Sequence, residues 1–160
     1  MYTSISKGLL RTVAAVAFVA TAGFAFNAQA GECPAEKRMA NARQPVDFKA
    51  VGVTDTTLGS IDLGKEKANI ADHELRFRKL VIQPGGIVPW HSHDDRPALI
   101  FVEQGEIIEY ASNCAGPIVH KAGEVRAETN GTSHWWKNLG DVPVVLYVGD
   151  VRHDERDHNM

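Results

Sequence analysis

The chain has 160 residues, of which 44% are hydrophobic and 23% are charged, and its formal net charge is −3. This composition is typical of a globular protein of one domain, not of a disordered or fibrous chain. The small acidic charge argues against nucleic acid and an anionic membrane surface as partners, because both attract basic proteins.

The first 30 residues have the pattern of a secretory signal peptide. Lys7 and Arg11 precede an apolar run over residues 12–26, and a small-x-small cleavage pattern ends at Ala30. We therefore expect cleavage near Ala30, a mature chain with no membrane span, and a periplasmic or secreted location. Cleavage removes two positive charges and no negative one, so the net charge becomes −5.

Two cysteines, Cys33 and Cys114, lie in the predicted mature chain. In an oxidising compartment they can form a disulfide that ties the N-terminal arm to the rest of the domain. Closing so long a loop would stabilise the fold by roughly 4 kcal/mol. The sequence leaves open the alternative of two unlinked cysteines, one of them buried and the other on a loose arm.

After residue 30, the first segments have no clear secondary-structure pattern, and the later segments have the composition of β-strands. Residues 32–44 are charged and alanine-rich, which is compatible with a short helix or a disordered lead-in. Residues 46–53 are predicted as a first strand, and residues 54–71 as a loop-rich passage. The later strands are short, rich in β-branched or aromatic residues and separated by glycine turns. Their predicted ranges are 74–83, 86–93, 98–103, 106–112, 118–121, 123–128, 133–138 and 142–150.

Many short strands at nearly regular spacing predict an all-β barrel or double-sheet roll. We divide the chain into a signal peptide at 1–30, an arm with the first strand at 31–72, a barrel at 73–152 and a flexible tail at 153–160. The sequence shows no internal repeat and no second domain.

Three histidines form the strongest functional signal. His91 and His93 are separated by one residue in an extended segment, which places both imidazoles on one face of a strand. His134 follows an Asn-Gly turn and begins another strand-like segment. Together they predict a three-nitrogen site for one divalent transition metal, with two or three coordination positions left open for substrate, water or dioxygen.

The ligand type limits the metal without identifying it. Imidazole suits Fe, Cu, Ni and Zn, and affinity alone favours Cu and Zn over Fe or Mn. The bland alternative is a set of core-facing or hydrogen-bonded histidines that hold no metal. His73 and His120 are expected to be surface or strand-end residues.

The two histidine segments carry a resemblance to the cupin family. Gly85, His91, His93 and Gly105 fit its first motif, and Gly123, Gly131, His134 and Asn138 fit its second. The resemblance covers about residues 75–151 and implies a double-stranded β-helix, also called a jelly-roll barrel. It implies that His91, His93 and His134 bind a metal inside the barrel.

The sequence departs from the family pattern at two positions. The glutamate that normally completes the metal site of this family falls at Ala98, and the proline of the second motif is Thr129. The resemblance therefore implies three of the four metal ligands, and the fourth has no counterpart in this sequence. Some cupin oxygenases are similar in using three histidines without the carboxylate, so a missing glutamate is compatible with activity.

Asp95 is an alternative fourth ligand. It shares strand parity with His91 and His93, and a carboxylate there would make a mixed nitrogen and oxygen site. However, the segment Asp94-Asp95-Arg96-Pro97 has the composition of a turn, where strand parity no longer applies.

Parity also assigns candidate pocket residues. Ala98 should face into the barrel, and Trp136 shares the parity of His134, so it either lines the pocket or packs in the core. Arg78 and Arg96 are candidates for anchoring an anionic ligand near the mouth, and the alternative is that they are solvated or paired with acids. Leu99 and Phe101 should face outward, and such an apolar face suggests a homodimer.

Three functions remain open at this point. The chain is a metal-dependent enzyme acting on a small molecule, in the manner of a dioxygenase, or a non-catalytic protein that binds a metal or small ligand, or a structural module with a vestigial site. No general acid or base accompanies the histidines in the sequence, and a fold of this class hosts all three functions.

Overall fold

The computed structural model of the protein describes residues 31–129 and 131–153. The predicted signal peptide and residues 154–160 of the predicted tail lie outside the described residues. None of the described residues form a helix with the length and hydropathy needed to span a bilayer. The described strands are β1 Val51–Asp62, β2 Glu74–Ser92, β3 Ala98–Gln104, β4 Glu106–Ala111, β5 Ile118–Lys121, β6 Val125–Glu128, β7 Ser133–Lys137 and β8 Val144–Arg152.

The described strands form one antiparallel sheet in the order β5-β4-β7-β2-β8-β3-β6, with β1 paired to β2. The sheet curls until β3 contacts β5, so its inner face encloses the core. The predicted all-β jelly-roll class is confirmed. Buried apolar side chains fill the interior, and they are Leu80, Ile82, Val88, Ala98, Ile100, Val102, Ile107, Trp136, Val144, Leu146 and Val148.

The longest strand, β2, joins two strands that the sequence pattern separated. Its Pro-Gly-Gly sequence at 84–86 bends the strand without ending it, and Gly85 takes the bend with a φ of 75°. Before the bend β2 pairs with β8, and after it with β7. The turn signal therefore marks a change of partner, which brings the end of β2 beside β7.

Strand β1 corrects the prediction for the N-terminal part of the barrel. We predicted a strand at 46–53 and a loop at 54–71, but the strand occupies Val51–Asp62. Nearly all of its side chains are exposed, so it lacks the alternation of apolar and polar residues that identifies a half-buried strand. Two register shifts against β2 weaken the pattern further.

The arm before β1 is fixed to the barrel. For residues 32–44 the sequence left open a short helix or a disordered lead-in, and the helical structure described there is a single 3-10 turn, Ala35–Lys37. Cys33 and Cys114 form a disulfide that closes a sequence separation of 81 residues, and both cysteines are buried. A loop of this length corresponds to a stabilisation of roughly 4 kcal/mol.

The outer face of β3 is apolar. Leu99 is 59% exposed and Phe101 is 37% exposed, while Ala98, Ile100 and Val102 point into the core. Phe77 and Tyr147 stack beside them with ring centroids 5.7 Å apart. The homodimer that this face suggests stays a prediction.

Arginine side chains surround one buried carboxylate at the end of β8. Arg76 donates two hydrogen bonds to Asp150, at 3.0 and 2.7 Å, and a guanidinium nitrogen of Arg78 lies 3.6 Å from the same carboxylate. Burial acts to raise the pKa of Asp150, but the bond from Arg76 and the nearby arginines outweigh it, so this pKa lies below its ordinary value of 3.8.

We predict that Asp150→Asn destabilises the protein by about 3 to 5 kcal/mol at pH 7, because it leaves buried arginines without their counter-charge. A depressed carboxyl pKa contributes stability above the ordinary pKa and loses it as the pH falls through the lower folded value. The difference between wild type and variant should therefore shrink below about pH 4. Urea unfolding at several pH values measures both effects.

Asp62→Asn is the matched control. Asp62 also forms an ion pair, with Lys65 at 2.7 Å, but both side chains are at least half exposed. Solvent screens such a pair, so no measurable loss of stability is expected. An Asp150→Asn variant that unfolds at the same urea concentration as Asp62→Asn would contradict this account of the arginine cluster.

Candidate metal centre

Two antiparallel strands and one turn position the three histidines. His91 near the end of β2 pairs directly with His134 on β7. A register shift between Val88 and His91 lets both of these residues face inward although one has an even and the other an odd number. His93 follows the end of β2, and its backbone N–H donates to the carbonyl of Thr132 at 2.9 Å.

The three imidazoles converge on one point. The Nε2 atoms of His91 and His93 are 3.1 Å apart, those of His93 and His134 are 3.1 Å apart, and those of His134 and His91 are 3.0 Å apart. The three side chains are buried, with 8%, 2% and 0% exposure for His91, His93 and His134. Within the described part of the chain, these nitrogens form a group that can hold a metal ion.

The opposite nitrogen of each ring faces an oxygen acceptor. Nδ1 of His91 lies 2.9 Å from the carbonyl of Pro89, and Nδ1 of His93 lies 2.7 Å from the carbonyl of Arg96. Nδ1 of His134 lies 2.8 Å from a carboxylate oxygen of Glu109. A carbonyl or carboxylate oxygen can only accept, so each Nδ1 donates its proton. In the neutral ring this leaves a lone pair on each Nε2.

The proton equilibria of the three rings differ. Burial and the charge of His134 lower the pKa of His91 well below 6.5, and the same two causes lower the pKa of His93 to about 4. Burial acts in the same direction on His134, but hydrogen bonds to Glu109 and Glu128 raise its pKa to about 9. Without a metal, one positive charge therefore resides on His134, beside the two carboxylates.

A second layer of buried charged residues lies behind His134. Glu109 on β4 accepts from His134 with one oxygen, and its other oxygen lies 2.8 Å from Nε2 of His120 on β5. Arg126 on β6 donates to Glu128 at 3.0 Å and lies 3.7 Å from Glu109. His120 also stacks on Trp136, with ring centroids 4.6 Å apart.

Our sequence reasoning missed this layer. His120 is fully buried, so the prediction of a surface or strand-end position was wrong, and Glu109 was not singled out. The alternation of buried and less buried side chains along β4 could have identified it, because Glu109 shares the buried face with Ile107 and Ala111. We did not assign Glu109 to the buried face because glutamate is usually exposed. A carboxylate can nevertheless be buried when cationic or hydrogen-bonding partners face it.

None of the described residues considered as a fourth ligand places a carboxylate at the three histidine Nε2 atoms. Ala98 is buried and offers no ligand atom, while Glu128 lies directly across the ladder from it, on β6. Asp95 is exposed in the turn after His93 and belongs to none of the metal-competent groups found among the described residues. The turn composition, not the strand parity, determines where Asp95 points.

A narrow cavity opens in front of the three histidines. It has a volume of about 20 Å³, room for about one water molecule. Trp136 lines it, and its indole nitrogen lies 3.0 Å from Nδ1 and 3.3 Å from Nε2 of His134. The other lining residues are Arg78, Leu80, Val88, His91, His93, Ile100, His134, Leu146 and Val148.

The two arginines named from the sequence occupy different places. Arg78 lines the cavity and also donates to Asp55 on β1. Arg96 is buried in the turn that follows His93, where its carbonyl accepts from that histidine and its guanidinium lies 4.0 Å from Asp150. Of these two arginines, Arg78 is thus the one that lines the cavity.

Comparisons with known proteins agree with this fold. The family model of the cupin domain matches residues 78–149. The chain is 29% identical over 98 residues to germin-like protein subfamily 2 member 1 of Arabidopsis thaliana, covering 58% of this chain and 45% of the relative. It is 28% identical over 103 residues to germin-like protein 5-1 of Oryza sativa subsp. japonica, covering 61% and 47%. The chain thus spans about half the length of these curated relatives.

The fold is similar to that of one solved structure in particular. The structure of KdgF from Halomonas sp. superposes with a TM-score of 0.50 at 14% identity, covering 74% of this chain and 96% of the other. A structure of oxalate oxidase in complex with the substrate analogue glycolate gives 0.48 at 20% identity, covering 64% and 55%. The match of residues 78–149 to the cupin domain and the similarity to germin-like proteins support the assignment of this chain to the cupin family.

Proposed function

We propose that this protein is an exported cupin that binds one divalent transition metal ion through Nε2 of His91, His93 and His134. One observation carries the proposal: the three Nε2 atoms lie 3.0 to 3.1 Å apart, and the Nδ1 atom of each ring is turned to an oxygen acceptor. In the neutral rings three lone pairs held so close repel one another, so the group needs a cation, which is the proton on His134 in the metal-free protein and a metal ion in the loaded one.

The spacing of the nitrogens suits a metal with three open positions. Bonds of about 2.1 Å at right angles place nitrogens roughly 3.0 Å apart, whereas tetrahedral angles place them roughly 3.4 Å apart. The observed distances fit three nitrogens on one face of an octahedron. Fe, Mn, Ni, Cu and Zn remain candidates on the donor set.

The buried charges behind the histidines favour the same cation. Glu109 and Glu128 are both fully buried, and among the described residues Arg126 is the arginine that pairs with them. Two carboxylates and one guanidinium leave a negative charge, which the proton on His134 balances in the metal-free protein. A divalent ion at Nε2 would take over this role.

The chemistry that this site supports best is transformation of a small molecule, as in a dioxygenase. A bound transition metal would polarise an oxygen ligand or, if redox-active, activate dioxygen. Glu109 keeps the Nδ1 proton of His134 in place, and the aliphatic walls formed by Leu80, Ile100 and Leu146 exclude water from the cavity.

A second candidate function is metal or small-ligand binding without catalysis. Apart from the three histidines, Arg78 is the ionisable residue that lines the cavity in the described part of the chain, and an arginine does not act as a general acid or base near pH 7. Oxygen uptake by the metal-loaded protein in the presence of small oxygen-bearing compounds favours the enzyme. A protein that binds such compounds without turnover favours the binding role.

Replacing His93 by Ala should abolish stoichiometric metal binding, because it removes one of the three converging Nε2 atoms. The barrel should stay folded, since its core is formed by aliphatic residues of four strands together with Trp136. Elemental analysis of the purified, untagged protein measures metal content, and circular dichroism checks the fold. His73→Ala is the control. Full metal occupancy in a His91→Ala/His93→Ala double variant would refute the ligand assignment.

Glu109→Gln should weaken metal binding by about 10-fold to 100-fold, because the partner of a ligating histidine fixes its tautomer and raises its basicity. The amide keeps the size of the side chain and removes the charge. Competition with a chelator for Zn²⁺ measures the affinity. The matched control is Glu106→Gln, an exposed residue of the same strand. Equal zinc affinity of the Glu109→Gln variant and wild type would contradict the positioning role.

Export rests on the signal-peptide pattern of residues 1–30 and gains support from the Cys33–Cys114 disulfide, since disulfides persist in oxidising compartments. We expect an intact mass, measured on protein released by osmotic shock, that corresponds to a chain beginning at Gly31 with its disulfide closed. A full-length, reduced chain confined to the cytosolic fraction would contradict export.

A further inference from the structure

His120 uses only one of its two ring nitrogens. Its Nε2 lies 2.8 Å from a carboxylate oxygen of Glu109, and because that oxygen can only accept, Nε2 carries the proton. In the neutral ring Nδ1 is then an acceptor. This nitrogen is buried and has no hydrogen-bond partner among the described residues. A buried acceptor that lacks a donor is costly, so a donor belongs beside it.

Gly31 lies against this nitrogen. The residue is buried, and a Cβ added to it would lie 3.0 Å from Nδ1 of His120 and 3.4 Å from a carboxylate oxygen of Glu124. Its φ of 86° is a conformation that glycine adopts without strain. Two residues later the Cys33–Cys114 disulfide ties the arm to the barrel, so the backbone of Gly31 is held beside the imidazole.

Gly31 is also the first residue after the predicted cleavage site. We propose that the α-amino group released by cleavage docks here, donates a hydrogen bond to Nδ1 of His120 and forms an ion pair with Glu124. This inference rests on the export of the proposed function and assigns a role to the new chain terminus. Hydrolysis of the peptide bond between Ala30 and Gly31 consumes one water molecule and leaves a carboxylate on Ala30. The amine freed on Gly31 takes up a proton and is mostly charged near pH 7.

Cleavage changes what the nitrogen of Gly31 can donate. In the uncut chain it is a neutral amide with one N–H, whose direction the peptide plane fixes. The ammonium has three N–H groups and turns about a single bond, so it can satisfy His120 and Glu124 together. The carboxylate of Glu124 is already oriented, because it accepts from the backbone N–H of Lys121 at 2.9 Å. These two partners offset the cost of removing the ammonium from water.

The docked terminus acts on a metal ligand through a chain of hydrogen bonds. It fixes His120 in the tautomer whose Nε2 donates to Glu109. Glu109 in turn accepts from Nδ1 of His134, one of the three ligands of the proposed site. Gly31 is therefore a positioning residue, and removal of the signal peptide completes the support of His134 in the exported protein.

The experiment compares exported wild type with a variant in which one alanine is inserted between Ala30 and Gly31, so that its mature chain begins Ala-Gly. Intact mass verifies each terminus. The insertion moves the α-amino group away from His120 and leaves a neutral peptide N–H in its place. Both chains are also made with Glu124→Gln. The matched control is Glu36→Gln, at an exposed residue of the same arm.

We expect acetic anhydride to modify the α-amine of wild type about tenfold more slowly than that of the inserted variant, because Glu124 holds it protonated and the packing restricts access. Glu124→Gln should speed the reaction in wild type alone, and Glu36→Gln should speed it in neither chain. NMR of the ring nitrogens should show a hydrogen-bonded Nδ1 of His120 in wild type and a free acceptor in the inserted variant. Zinc affinity should be about threefold lower in the inserted variant.

Equal acetylation rates in the two chains, equal Nδ1 shifts of His120, or an effect of Glu124→Gln on both chains alike would overturn the docking while export stands. Unequal shifts with equal zinc affinity would refute the positioning role. An exported wild type that begins elsewhere than Gly31 would refute the cleavage and this inference together. Absence of zinc binding in both chains would refute the metal site, and the acetylation rates would still decide the docking.

Discussion

The hydrogen bonds at Nδ1 of the three histidines are the interactions on which the site depends. Each fixes one ring in a single tautomer, and together they leave three lone pairs directed at one another. Two of the acceptors are backbone carbonyls close in sequence to the histidines they hold, so local strand geometry orients His91 and His93. The third is the side chain of Glu109 on another strand, so the orientation of His134 depends on the packing of the whole sheet.

The barrel interior separates charge of opposite sign. Glu109 and Glu128 lie behind His134, where negative charge favours a cation, while Arg78 faces the cavity, where positive charge favours an anion. Because all of these groups are buried, solvent screens them little and their placement controls what the cavity binds. The arginine cluster around Asp150 includes Arg78, whose guanidinium lies 3.6 Å from that carboxylate, so one residue belongs both to the buried ion cluster and to the lining of the cavity.

The sequence predicted the features that depend on local pattern. β-Branched and aromatic composition between glycine turns identified most of the core strands, and the spacing of His91, His93 and His134 identified residues that the structure brings together. Features that depend on contacts between distant strands were missed. Strand β1 has no buried face, so its pairing to β2 leaves no periodic signal, and Glu109 and His120 are buried because each satisfies the other. The bulge before His91 likewise inverts parity, which no reading of residue numbers could reveal.

The central claim, that three histidines bind one metal ion, is tested most directly by the number and type of ligands at the metal. X-ray absorption at the metal edge, measured on protein that carries one equivalent of metal, reports the neighbouring atoms and the scattering signature of imidazole rings. The account predicts three imidazole nitrogens at about 2.1 Å, with the remaining neighbours oxygen. A spectrum with fewer than three imidazoles, or with oxygen ligands alone, would show that the metal lies elsewhere and would contradict the account.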